Sequence, residues 1–229
     1  MITEIQKLFK VFFILGTTIA LSEIIFACSI QPSSTSLNPE KAENLYKQGL
    51  EKAKKGEFKS ALDNFHEAVQ LNPQYAEAYN NRGNTYFALG QQQEAIQDYT
   101  QALKLNPELA RAYYNRGYAY YRLDKMAEAI KDYNRSLELD PDYLSAYGNR
   151  AIVRSHLGDE QGALEDYTQV IRLKPDIPQV YYNRGTTRSK LGDQQGAIED
   201  LRKAAQLFSE QENQTGYQKT QEFLSKLKE

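Results

Sequence analysis

The sequence contains few of the residues on which catalysis and metal binding depend. Its 229 residues include one cysteine, two histidines and no tryptophan. A single cysteine excludes an internal disulfide, and it excludes a thiolate zinc site because such a site needs several ligands. The histidines, His66 and His156, stand in unrelated contexts, and the chain has no HExxH motif, Gly-rich phosphate loop or Ser/His/Asp set. We therefore expect a protein that is not an enzyme and that binds neither cofactor nor metal.

An excess of charge of one sign is also missing. The chain has 28 Lys and Arg against 30 Asp and Glu, which leaves a formal net charge of -2. Nucleic-acid binding requires a basic surface that neutralises phosphates, so we expect no nucleic-acid partner. With 41% hydrophobic and 25% charged residues, the composition is that of a soluble globular protein.

The N-terminus has the pattern of a secretory signal. Lys7 and Lys10 precede an apolar run from Val11 to Cys28, which contains the only cysteine of the chain. The run ends in Ile24-Ile25-Phe26-Ala27-Cys28, which resembles a bacterial lipobox, where a small residue precedes the cysteine that is lipidated. We predict a signal peptide of the lipoprotein type over residues 1–27 and lipidation of Cys28.

The lipobox resemblance has departures that leave alternatives open. Glu23 is charged, Phe26 is bulky, and residues 8–27 span roughly 20 positions, which is also the length of a membrane-spanning helix. The alternatives to the lipoprotein interpretation are an uncleaved anchor, an ordinary signal or a cytoplasmic helix. The Ser/Pro-rich residues after Cys28 cannot bury a core, and we predict a tether over 28–38. The lipoprotein interpretation places the protein in a bacterial cell envelope, anchored to a membrane and facing the periplasm or the exterior.

Self-similarity at an interval of 34 residues organises the remainder of the chain. Residues 112–141, AYYNRGYAYYRLDKMAEAIKDYNRSLELDP, have close copies at 78–107 and 146–175. One column of the repeat holds a very small residue, at Gly49, Gly83, Gly117, Ala151 and Gly185. A second column is large and mostly aromatic, at Phe65, Tyr99, Tyr133, Tyr167 and Leu201. Such a period is the signature of a repeat array.

Each repeat is predicted to be a helix, a short turn and a second helix. The turn residues are Gly56, Gly90, Asp124, Gly158 and Gly192. In the second repeat Tyr79, Gly83 and Tyr86 have the i, i+4, i+7 spacing of one helix face, and the residues after the turn repeat this spacing. Four repeats close with a proline, which cannot continue the second helix. The fold class is therefore all-α.

These columns resemble the tetratricopeptide repeat (TPR) family, in particular bacterial TPR lipoproteins. The resemblance implies an α-solenoid with a concave groove, built from repeats over 42–75, 76–109, 110–143, 144–177 and 178–211 within a TPR domain at 39–211. Residues 212–229 carry a helical stripe and are predicted to form a C-terminal capping helix, because the last unit of a solenoid must be covered. The resemblance to the TPR family also implies a non-catalytic scaffold or adaptor for protein–protein interaction. TPR lipoproteins are typical of envelope and pilus assembly, which is therefore the implied setting.

Two charged columns vary together. Four repeats carry an arginine eight residues before the turn and an aspartate eight residues after it: Arg82 with Asp98, Arg116 with Asp132, Arg150 with Asp166, and Arg184 with Asp200. The first repeat has Gln48 and Asn64 at these two positions, so both charges disappear together. We predict an ion pair that bridges the two helices of each repeat. The alternative is two independent, solvated charges.

The other side of each first helix is predicted to line the groove. The resemblance implies that Asn81, Asn115, Asn149 and Asn183 hydrogen-bond the backbone of a bound peptide, although the same amides could bond locally. The candidate aromatic anchors are Phe87, Tyr114, Tyr118 and Tyr121. A basic lining that favours acidic segments, or is only solvated surface, consists of Arg111, Arg122, His156 and Lys190. The expected ligand is a peptide or helix of a partner protein. The alternative is an adaptor or chaperone-like subunit on an uncleaved anchor.

Overall fold

The structure, a computed structural model, describes residues 37–227. The predicted signal peptide, Cys28 and all but the end of the tether lie outside this range. Within it the chain forms eleven α-helices and no strand. Their bounds are α1 Pro39–Lys54, α2 Phe58–Leu71, α3 Ala76–Ala88, α4 Gln92–Leu105, α5 Ala110–Arg122, α6 Met126–Leu139, α7 Leu144–His156, α8 Glu160–Leu173, α9 Pro178–Lys190, α10 Gln194–Glu210 and α11 Gln214–Lys226.

The helices pack in sequential pairs that stack on one another. Each odd-numbered helix from α1 to α9 packs along the helix that follows it, and each pair packs on the next. The first helices of successive pairs also touch, α1 with α3, α3 with α5, and α5 with α7. This arrangement confirms the predicted all-α solenoid of helix-turn-helix repeats. The side formed by the first helices is the groove referred to below.

The turns between paired helices confirm the residues that were predicted for them. Gly56, Gly90, Gly158 and Gly192 have φ between 78° and 84°, in the left-handed region that only glycine enters freely. Asp124 occupies the corresponding turn of the third repeat with φ 60°. Aspartate is one of the few other residues that visit this region, because its short side chain can bond locally.

The column of very small residues allows the paired helices to approach closely. A Cβ atom at Gly83 would lie 2.7 Å from the ring of Tyr99 and 3.2 Å from the carbonyl oxygen of Ala95. The tyrosine ring is only 2% exposed and fills the space that the missing side chain leaves. The glycine and aromatic columns are therefore two halves of one contact.

The predicted ion pairs are present in all four repeats that carry both residues. Arg116 donates from Nε and Nη2 to the two carboxylate oxygens of Asp132, at 2.7 and 2.8 Å. The other three pairs have the same two-bond geometry, with distances from 2.6 to 2.9 Å. The Asp132 side chain is 5% exposed and the Arg116 side chain 18%, so the charges are largely removed from water. The prediction of bridging pairs, rather than of independent solvated charges, is confirmed.

Each arginine after the first also reaches back to the preceding repeat. Arg116 donates from Nη1 to the Thr100 hydroxyl on α4 at 3.2 Å. Arg150 and Arg184 make the equivalent bonds to side chains on α6 and α8, at 2.7 and 3.3 Å. One guanidinium group thus connects three helices.

The first repeat has a neutral version of the same contact. Asn64 donates to the Gln48 side chain at 3.1 Å, and Lys52 donates to the Asn64 oxygen at 2.7 Å. In the fourth and fifth repeats the residue equivalent to Lys52 is a second arginine. Arg154 and Arg188 contact the buried aspartates of their own repeats at 3.0 and 3.1 Å. Basic residues at this position therefore serve the interhelical contact in three of the five repeats.

The described chain begins with a capped helix and ends with a packed one. The Asn38 side chain accepts from the backbone N–H of Lys41 at 2.9 Å, and Pro39 is the first residue of α1. At the other end α11 packs on α10 through Thr220 and Leu224, which are buried. None of the helices within residues 37–227 is both long enough and apolar enough to span a bilayer.

We expect the Arg116–Asp132 pair to dominate the local stability of the third repeat. Asp132→Ala leaves a largely buried guanidinium without its counter-charge and should lower the free energy of unfolding by about 3–5 kcal/mol. A double-mutant cycle with Arg116→Ala, measured by urea denaturation, should show strong coupling. The exposed Arg135–Glu138 pair is the matched control, because an exposed pair contributes about 0.2–1 kcal/mol. Additive effects of the two core substitutions would contradict the assignment.

Candidate functional site: the groove of the first helices

The predicted groove residues all lie on first helices, but only some of them are free. Arg111, Arg122, His156 and Lys190 are exposed. Tyr114, Asn115, Tyr118 and Tyr121 are half-buried, because α5 packs on α3 and α7 as well as on its own partner. These four side chains are therefore partly covered by neighbouring helices, and their contact with a partner stays a prediction.

The asparagine column links successive first helices. Asn81 donates to the Tyr46 hydroxyl at 3.0 Å, and Asn149 donates to the Tyr114 hydroxyl at 3.0 Å. Asn115 donates to the Asn80 oxygen at 3.1 Å. Each bond joins residues 35 positions apart, one in each of two adjacent repeats.

Asn183 departs from this pattern because the position 35 residues before it is Gly148, which has no side chain to accept. Its oxygen accepts from Gln179 on the same helix at 2.8 Å. Asn81 donates a second bond, to the carbonyl oxygen of Glu77 at 2.9 Å. The local alternative is therefore part of what these amides do, and their contact with a peptide backbone stays a prediction.

The four predicted aromatic anchors form part of one aromatic patch: Phe87, Tyr114, Tyr118, Tyr121, Tyr143 and His156. The rings of Phe87 and Tyr118 are 5.2 Å apart, which joins α3 to α5. Tyr118 lies 6.5 Å from Tyr114 and 6.4 Å from Tyr121 on its own helix. Tyr121 lies 6.0 Å from the His156 ring, which extends the patch to α7.

Tyr143 belongs to this patch although it was not among the predicted site residues. Its ring is 4.9 Å from Tyr114, and it stands at the N-terminal end of α7. Burial raises the pKa of Tyr143 to about 12. Tyr75 makes the same contact with Tyr46 at 4.8 Å, 68 residues earlier. The 34-residue column Tyr75, Leu109, Tyr143 and Ile177 is apolar throughout, and this signal could have identified it.

The tyrosine hydroxyl groups in the large column of the second helices differ in their hydrogen bonding. Tyr99 donates to the Asn84 oxygen at 2.9 Å. Burial raises the pKa of Tyr167 to about 12, and a hydrogen bond from the Asn183 side chain opposes this rise. The Tyr133 hydroxyl is buried and has no partner among the described residues. Burial, followed by the nearby Tyr114, Tyr118 and Tyr121, raises the pKa of Tyr133 and so favours the neutral, donating form.

The basic lining is reduced by one ion pair. Lys190 donates to Glu160 at 2.6 Å and to the Ser155 hydroxyl at 3.1 Å, which ties α9 to α7 and α8. Arg111 and Arg122 form no ion pair with any residue from 37 to 227. The free positive charge of the groove therefore flanks the aromatic patch.

The buried carboxylates of the described residues are already paired. The carboxylates of the four ion pairs are occupied by arginines. No group of three or more His, Cys, Asp or Glu side chains within 37–227 is placed to hold a metal ion. What this surface offers is aromatic area, hydrogen-bonding amides and two cations, which are means of binding.

Family models identify the array. Residues 49–90 and 83–124 match a model described as TPR repeat, and residues 110–143, 144–177 and 178–211 match models described as tetratricopeptide repeat. The matches extend over most of the chain, and the protein belongs to the TPR family. It is a protein–protein interaction scaffold of the TPR type, and TPR proteins are generally non-catalytic.

Solved structures show the same fold. A crystal structure of MamA protein is 25% identical, with a TM-score of 0.68 over 76% of this chain and 96% of MamA. YrrB, described as a TPR protein with an unusual peptide-binding site, is 23% identical, with a TM-score of 0.68 over 81% and 94%. The first TPR of Spaghetti (RPAP3), bound to the HSP90 peptide SRMEEVD, is 31% identical, with a TM-score of 0.53 over 53% and 97%. A search of curated proteins finds no match.

We expect two chemically identical substitutions in the large column to have opposite effects. Tyr99→Phe removes a satisfied hydrogen bond and should lower the free energy of unfolding by about 1 kcal/mol. Tyr133→Phe removes a buried hydroxyl that has no partner, so it should leave stability unchanged or raise it by about 1 kcal/mol. Urea denaturation followed by circular dichroism measures both. Equal losses would mean that Tyr133 is satisfied in the folded protein.

Proposed function

We propose that the protein is a membrane-tethered adaptor that binds a peptide or helix of a partner protein in its groove during envelope or pilus assembly. Cys28 carries the lipid, and the tether sets the distance between membrane and repeats. The aromatic patch on α5 is the main contact surface. The setting of envelope or pilus assembly rests on analogy with other TPR lipoproteins alone.

The single observation that carries the proposal is the aromatic patch with its two unpaired arginines. Half-buried tyrosines held in place by neighbouring rings offer large contact area at little cost in conformational entropy, which is why such residues dominate binding hot spots. The recurring ion pairs hold each repeat together, and Tyr114 and Tyr121 of the patch also pack on the buried core of the third repeat. Peptide binding by the TPR of Spaghetti and by YrrB is consistent with this use of the fold.

Tyr118 provides the direct test of the groove. A photoreactive amino acid at position 118 of the full chain should crosslink to a partner in cells, and Tyr118→Ala and Asn115→Ala should weaken recovery of that partner. The same reactive group at Lys131, an exposed residue of α6, is the matched control and should not give this product. Partner recovery that is unchanged by both substitutions would contradict the assignment of the groove.

Cys28 provides the test of the tether. If it is lipidated, Cys28→Ser should move the protein from the membrane fraction to the soluble fraction or leave it as an unprocessed precursor. Membrane attachment that survives the substitution unaltered would contradict lipidation and favour the uncleaved anchor. Fractionation followed by mass spectrometry of the N-terminus distinguishes these outcomes.

A further inference from the structure

The seam between α5 and α7, called the cleft below, covers a hydrogen-bond donor that the described residues leave unused. The Tyr133 side chain is fully buried, with 0% exposure, and its hydroxyl has no partner within residues 37–227. Its ring packs against Gly117 and lies 6.0 Å from the ring of Tyr114 in the aromatic patch. A buried hydroxyl without a partner is destabilising, so its presence calls for a second explanation.

The neighbouring repeats show how the fold would normally satisfy this group. In the second repeat Asn84 accepts from Tyr99, and Tyr118 stands at the position equivalent to Asn84 in the third repeat. The Asn149 side chain, which reaches toward this region from α7, donates to the Tyr114 hydroxyl and has no hydrogen bond with Tyr133. In the third repeat a tyrosine therefore stands where the second repeat has an acceptor.

The equivalent place two repeats earlier shows what volume the Tyr118 ring fills. Between α1 and α3 an open cavity of about 310 Å³ is lined by Leu50, Phe65 and Asn81, among others. These residues are equivalent to Tyr118, Tyr133 and Asn149 in the cleft between α5 and α7. The half-buried Tyr118 ring thus stands where a smaller side chain leaves open space two repeats earlier.

The charges at the rim indicate what could enter. Arg111 and Arg122, at the two ends of α5, are both exposed and have no ion pair with residues 37–227. The nearest buried carboxylate, Asp132, is neutralised by Arg116. A hydroxyl donor between two free cations is suited to an acidic ligand, because charge-assisted hydrogen bonds to carboxylates are the stronger kind.

Resting on the proposed function of the groove, we propose that this cleft binds an acidic segment of the partner protein, and that a carboxylate of this segment accepts a hydrogen bond from the Tyr133 hydroxyl. The Tyr118 ring moves aside to admit it. Arg111 and Arg122 hold the flanking negative charge of the segment. The third repeat then determines the specificity of binding, because it contains the Tyr133 hydroxyl.

A display library of random twelve-residue peptides, selected on the full chain in mild detergent, tests the proposal. Selected peptides should be enriched in Asp and Glu. Tyr133→Phe should weaken the best of them about tenfold or more, the loss expected for a hydrogen bond to a charged group. Tyr99→Phe, which removes a hydroxyl already satisfied inside the protein, is the matched control and should leave binding unchanged.

Two further variants separate the hydroxyl from the ring above it. Tyr118→Asn gives Tyr133 an internal acceptor, as Asn84 does for Tyr99, whereas Tyr118→Leu removes the ring without supplying one. Binding should be weaker in the Asn variant than in the Leu variant. Arg122→Glu should weaken binding, while Arg202→Glu on α10 should not.

The outcomes distinguish this inference from the proposed function. Acidic peptides that depend on Tyr133 support it. Peptides that compete for the groove but are neutral or basic, or are insensitive to Tyr133→Phe, overturn it and leave the groove assignment intact. If no selected peptide is sensitive to any substitution on α5, the inference and the groove assignment both fail.

Discussion

The structure depends on a buried ion pair repeated four times along the stack. A TPR unit is too small to bury a core alone, so its two helices and the preceding helix must be held at a set separation. In three of the four pairs the arginine does this with one planar group, because its fork bonds both oxygens of the aspartate and its remaining nitrogen reaches the previous repeat. A lysine could not make three such bonds in fixed directions, and the first repeat has the Gln48–Asn64 contact in place of the pair.

The ion pairs lie away from the groove side of the first helices, so the side chains on that side are available for other contacts. In α5 the arginine occupies the side facing α6, next to Gly117, and the aromatic patch occupies the opposite side. The asparagine column then holds adjacent first helices together at the base of the groove. Side chains on the groove side differ between repeats while the ion pairs recur, so local specificity can be added to a common scaffold.

Most of the fold could be predicted from the sequence, and the reason is repetition. A column that recurs five times reveals its role, and the joint loss of both charges in the first repeat identified the Arg–Asp pair. The candidate site was harder to predict from the sequence, because its contacts join residues of different repeats. Nothing on a single helix shows that Asn81 would bond Tyr46, that Glu160 would neutralise Lys190, or that Tyr143 would join the patch from a connecting segment. These contacts depend on the register between successive first helices, which periodicity alone does not determine.

The departures from repetition are therefore the more informative part of a repeat protein. Leu50, Asn84, Tyr118, Ile152 and Thr186 are equivalent positions with five different side chains. In two repeats this residue determines whether the tyrosine of the large column has a hydrogen-bond acceptor. Asn84 accepts from Tyr99, while Tyr118 leaves Tyr133 without an acceptor. A stability requirement alone would favour Phe at 133 or Asn at 118. That the chain has neither, at the centre of its aromatic patch and between two free arginines, is the physical reason to place recognition in the third repeat.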